Sequence, residues 1–193
     1  MLQILTAILV LIAFTSPQTL PHVVVQTDLG EIEMEIDTVK APATAANFLK
    51  YVDAGFYDGG LFHRTVRPDN QREKPVKIAV IQGAANAARK GEYFPPIALE
   101  RTNKTGILHV DGTVSMARAA VDTATEEFFI CVGDQHELDF GGKRNPDGQG
   151  FAAFGRVVRG MDVVRRIQES AADGETLRPP IKILSVRRVS ARL

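Results

Sequence analysis

From His22 to Thr27 the chain is mostly apolar and β-branched. Branching at Cβ restricts χ1 and suits a pleated surface, so this run predicts a strand. Asp28-Leu29-Gly30 supplies turn residues. Beyond it Ile32, Met34 and Ile36 alternate with Glu31, Glu33 and Glu35. A period of two puts the apolar set on one face and the glutamates on the other. The two runs predict a hairpin with one buried and one wet face.

After Lys40 the period changes. Pro42 suits the first turn of a helix. Ala45, Phe48, Leu49 and Val52 then recur at i, i+3, i+4 and i+7, and Gly55 supplies a stop. Short apolar runs follow, separated by polar turns. Leu61–Val66, Lys77–Ile81, Thr113–Ala117, Glu127–Val132, Phe151–Val158 and Ile181–Val189 predict strands, with Ile97–Leu99 a short extra one. Gly160–Ser170 predicts a second helix with Met161, Val164 and Ile167 on one side. Arg67–Lys77 holds two prolines and six charged residues and reads as an exposed loop. Gly141–Gly150 reads as a long turn. Strands dominate, and closing them into a barrel removes exposed edges. The pattern therefore predicts a mainly β barrel with two helices.

The first 21 residues follow neither period. They hold no charged side chain, and Ile4–Phe14 is almost wholly apolar. A bilayer span takes roughly 20 such residues, so this run has the length of a secretory h-region instead. No Lys or Arg precedes it. A signal peptide is the expectation, with an uncleaved anchor second and a mis-called start codon third; the first makes the protein exported, periplasmic or secreted. Residues 22–193 then form one domain.

Composition narrows the chemistry. Lys plus Arg is 23 and Asp plus Glu is 23, so charge favours neither nucleic acid nor an anionic membrane surface. The single cysteine, Cys131, excludes an internal disulfide and sits in an apolar run as a buried thiol. None of His22, His63, His109 and His136 is at metal-ligand spacing from another, and there is no phosphate loop or nucleophile elbow. No metal and no cofactor are expected.

Eight segments stand in a fixed order. They are Asn47-Phe48, Gly55–Gly59, Phe62-His63-Arg64, Ile81-Gln82-Gly83, Gly112–Ala117, Phe128-Phe129-Ile130, Leu138-Asp139 and Phe154–Val157. Their order and spacing resemble the cyclophilin family, from about Val23 to Val189. The resemblance implies a closed eight-stranded antiparallel barrel capped by two α-helices. It also implies cis–trans isomerisation of X–Pro bonds, in proline-containing peptides or unfolded proteins; a monomer is expected, although no motif encodes the oligomeric state.

The resemblance assigns Arg64 as the catalytic arginine, with His63 beside it. It makes Phe129 and Leu138 walls of the proline pocket and gives Gln82 to the substrate backbone. Ala117 and Ala119 flank the stretch that pairs with the peptide. Val80, Arg118, Glu127 and Phe151 occupy further substrate-binding positions. At several of these the chain departs from the family's usual residues. Ala79 stands where an aromatic is common, Arg118 for asparagine, Glu127 for glutamine, Glu137 for tryptophan and Phe151 for histidine. Glu127 is accordingly expected to pair with Arg64, Arg118 or both, restraining the arginine. A non-catalytic peptide-binding module or chaperone on the same fold is the alternative to an isomerase.

Overall fold

The computed structural model describes residues 19–189, so the leader expected over residues 1–21 lies, as far as residue 18, outside the described residues. The predicted hairpin forms from β1 (His22–Thr27) and β2 (Gly30–Ile36), paired from His22↔Glu35 to Thr27↔Gly30. The further strands are β3 (Leu61–Val66), β4 (Val80–Ala84), β5 (Thr113–Met116), β6 (Phe128–Cys131), β7 (Ala152–Arg159), β8 (Ala172–Asp173) and β9 (Thr176–Val189). Around the sheet the order is β1-β2-β7-β5-β6-β4-β3-β9, and β9 pairs back onto β1. Every pairing is antiparallel, so eight staves make a closed barrel. β8 is a two-residue partner of β9.

Two helices pack against the barrel: α1 (Pro42–Asp53) against β7 and β9, and α3 (Met161–Glu169) against β2, β3 and β4. Glu100 caps α1, accepting from Ala43 N, Thr44 N and Thr44 Oγ1, where an anion complements the helix dipole. The buried face of α3 is Val163, Val164, Ile167 and Gln168, with Met161 at its margin. A four-residue helix, α2 (Thr102–Thr105), is too short to leave a periodic signal.

Inside, Phe48 packs on Tyr57, Phe128 and Phe154, and Phe62 packs edge-on against Phe128. Phe62 and Phe128 are fully buried, as core. Gly83 is what admits them: a Cβ there would lie 3.0 Å from Phe62 Cε1 and 3.1 Å from Phe128 Cζ. Cys131 is buried, and burial pushes its thiol well above the ordinary value.

Three expectations change. Glu33 does not face water; it is 4% exposed and accepts from His22 Nδ1 at 2.8 Å, with Arg159 at 3.8 Å. β4 begins at Val80 rather than Lys77, because Ile78 N and O bond the Gln71 side chain and Ala79 N donates to Gln135 Oε1. Ile97 makes one isolated bridge, to Ala124, instead of a strand. Among the described residues no helix is long and apolar enough to cross a membrane.

Candidate active site

On a strand, residues i and i+2 share a face. Phe62 and Arg64 break that rule. Phe62 pairs with Gly83 and Arg64 with the adjacent Gln82, so the register shifts between them and His63 is an extra, bulged residue. The bulge lets Phe62 enter the core while Arg64 turns outward beside Gln82, the re-aiming that bulges perform. His63 is the device that aims the arginine; it does not line the groove described next.

Outward-facing residues of β3, β4 and β6, with Ile78 and Leu138 from the flanking segments, form a second, smaller apolar cluster. Val66, Ile78, Val80, Phe129, Cys131 and Leu138 are buried in it, and Ala117 and Phe151 pack on it. A groove of about 680 Å³ opens over this cluster. Arg64, Val80, Gln82, Ala117, Arg118, Ala119, Glu127, Phe129, Leu138 and Phe151 all line it. Phe151 meets Phe129 edge to face at 5.5 Å, and Leu138 is 1% exposed. Alternation explains why neighbours part company: Phe128 and Ile130 point into the barrel, Phe129 into the groove cluster.

The polar side of the groove is a chain of bonds. Arg64 Nη1 donates to Gln82 Oε1 at 2.8 Å, and Gln82 Nε2 donates to Glu127 Oε2. Arg64 Nε donates to Glu175 Oε2 at 2.9 Å, and Nη2 donates to the same oxygen. The expected Glu127 ion pair is thus absent: Glu127 reaches Arg64 only through Gln82, and Glu175 is the arginine's carboxylate.

Arg118 also differs from expectation. It donates to Asp147 through both terminal nitrogens, at 2.8 and 2.9 Å, and to Gly150 O through Nε at 2.9 Å. Its guanidinium lies over the Phe151 ring, and the side chain is 1% exposed. Arg118 therefore fastens the Gly141–Gly150 turn onto the groove, with four hydrogen bonds made inside the protein. Arg144 fastens the other wall, donating to Gln71 Oε1 and Val76 O. Burial pulls the pKa of Arg144 below the ordinary arginine value, opposed by Glu175 and assisted by Arg64. The Arg67–Lys77 loop is largely exposed, as the sequence predicts, but Gln71 is buried and Lys74, Pro75 and Val76 border the groove.

Beneath Phe129 lies a polar triad. The His109 ring stacks on Phe129, centroids 5.9 Å apart. His109 Nδ1 bonds Asp139 Oδ1 at 2.7 Å, and Nε2 bonds Ser115 Oγ at 2.9 Å. His109 and Ser115 are wholly buried, so the hydroxyl meets no substrate and the triad is a support. Burial pushes the Asp139 carboxyl up, but bonds from His109, His136 and the His109 amide outweigh it and hold it below the usual carboxylate value.

Sequence reading missed Ile78, Arg144, Glu175 and His109. Ile78 sits beside the position where Ala79 lacks a ring, and nothing distinguishes it in the sequence from any other strand apolar residue. Arg144 and Glu175 act through partners 73 and 111 residues away, and His109 through Asp139, 30 residues away.

Residues 22–188 match the family model described as cyclophilin type peptidyl-prolyl cis-trans isomerase/CLD. Among curated relatives, peptidyl-prolyl cis-trans isomerase A of Dickeya dadantii is 36% identical over 174 residues, covering 86% of this chain and 84% of that protein. Peptidyl-prolyl cis-trans isomerase B of Escherichia coli is 36% identical over 145 residues, covering 74% and 80%. The crystal structure of a Cryptosporidium parvum cyclophilin type isomerase superposes with a TM-score of 0.68 at 18% identity, covering 90% of this chain and 99% of that one. A second structure of that protein, in the presence of the dipeptide Ala-Pro, gives 0.66. The chain belongs to the cyclophilin-type peptidyl-prolyl cis-trans isomerase family.

Proposed function

We propose that this protein catalyses cis–trans isomerisation of X–Pro bonds, seating the prolyl ring on Phe129, Leu138, Val80 and Phe151. The barrier to be lowered is about 20 kcal/mol of amide resonance. No bond is made or broken, so the site needs shape and one well-placed donor. The ring fits the apolar cluster, where burial contributes about 25 cal/mol per Å². When the amide twists, its nitrogen becomes pyramidal and basic, and an Arg64 N–H can donate to it. A guanidinium stays charged and presents its donors in a rigid fork. The observation that carries this reading is the juxtaposition itself: one outward arginine at the edge of an apolar floor that holds Phe129 and Leu138. Arg64→Ala should lower kcat/KM on an Ala-Pro peptide by about a hundredfold or more, the scale of losing one preorganised donor. Loss of less than about threefold would remove Arg64 from the chemistry.

We further propose that the protein acts on exported chains. The uncharged apolar run Ile4–Phe14 supports this. The test is residues 1–21 fused to a reporter that matures only outside the cytoplasm; an inactive reporter contradicts export.

A further inference from the structure

Arg64 does not hang free over the groove. A guanidinium has five N–H donors. Glu175 Oε2 takes one from Nε and one from Nη2, and Gln82 Oε1 takes one from Nη1. Two donors, one on each terminal nitrogen, remain for a peptide. The carboxylate comes from the turn between β8 and β9, 111 residues further along the chain.

That turn is itself fixed by the strand carrying the arginine. Thr65 N donates to Glu175 O at 2.9 Å, and Arg64 and Thr176 are register partners. Asn70 Nδ2 donates to Gly174 O at 3.0 Å, and Gly174 holds the left-handed conformation at φ 57°. The acceptor is therefore in place before any substrate arrives. Without it, a side chain that is 35% exposed could sample several rotamers. A second cation, Arg144, lines the same groove and would repel an unpaired Arg64.

We infer that Glu175 is a positioning residue for the isomerisation, locking Arg64 by its Nε–Nη2 edge so that its two free donors face the twisting prolyl amide. This rests on the isomerase reading given above. The test uses the full chain as wild type, Glu175→Gln and Glu175→Ala. Three quantities are read: kcat, KM on an Ala-Pro peptide, and solvent exchange of the Arg64 Nε–H by ¹⁵N NMR. Glu175→Ala should lower kcat by about tenfold or more, as misplacement of a reacting group does, with KM nearly unchanged. Glu175→Gln keeps an acceptor without the charge and should fall between. The Nε–H should exchange slowly in wild type and fast in Glu175→Ala. A kcat equal to or above wild type in either variant would overturn the inference, because the carboxylate would then be idle or restraining. Should the alanine variant fail to fold, the glutamine variant decides alone. A wild type with no activity would overturn the isomerase reading instead, and Arg64 exchange would still decide whether Glu175 holds the arginine.

Discussion

At the scale of single residues, the site depends on which partner each polar group finds. The sequence predicts that Glu127 engages an arginine directly; its bond to Gln82 Nε2 gives it a different task. An amide can present either end, and the carboxylate forces Gln82 to turn its N–H₂ toward Glu127 and its oxygen toward Arg64. Glutamine at position 127 could accept the same bond, whereas leucine could not. Glu127→Gln should leave kcat/KM within about threefold, and Glu127→Leu should lower it by about tenfold, the worth of one bond to a charged network. A steady-state assay of both variants checks this; equal effects would contradict the relay. Such assignments were only half legible in the sequence. Phe129, Leu138 and Arg64 followed from ordered motifs. The partners of Arg118 lie 29 and 32 residues away, and that of Arg64 111 away, distances at which one chain gives no pairing signal.

At the scale of elements, the decisive feature is the bulge at His63 facing the uninterrupted β4 strand. It sends Phe62 and Arg64 to opposite faces, and it works only because Gly83 leaves room for the Phe62 and Phe128 rings. Adding a methyl there overpacks the core next to the site. Gly83→Ala should cost about 1–3 kcal/mol of stability, read as a lowered denaturant midpoint with unchanged m-value. An unchanged midpoint would mean the rings can move aside. The strands and both long helices were legible because their periods of 2 and 3.6 span several residues. The bulge was not, since one extra residue leaves no trace in a strand as short as Leu61–Val66. Nor was the end of β4 at Val80, which Gln71 and Gln135 side chains set by claiming the backbone groups of Ile78 and Ala79.

At the scale of the whole molecule, the barrel separates two jobs. Its interior is an aromatic core, and its outer face at β3, β4 and β6 is the groove floor, braced from beneath by Ser115, His109 and Asp139. The brace has a pH signature. The Asp139 carboxyl in the folded protein lies below its ordinary value, so folding favours its ionised form. Its contribution to stability is therefore full above the ordinary carboxylate range and is lost as pH falls through the lowered folded value. Unfolding measured between neutral and acidic pH should show this loss, and Asp139→Asn should be less stable at neutral pH with a flatter acid limb. A variant with the wild-type profile would show that the brace carries no charge-dependent stability. The fold as a whole was the most legible feature, because alternation along many runs overdetermines a closed sheet.

The most direct test of the central claim is two-dimensional NMR exchange on an Ala-Pro peptide with catalytic amounts of this protein and of Arg64→Ala. Cross-peaks linking the cis and trans prolyl signals should appear within the mixing time for the wild type and vanish for Arg64→Ala, while peptide shift perturbations show that both proteins still bind. Binding without cross-peaks for the wild type, or cross-peaks of equal strength for the two proteins, would contradict an isomerase that works through Arg64.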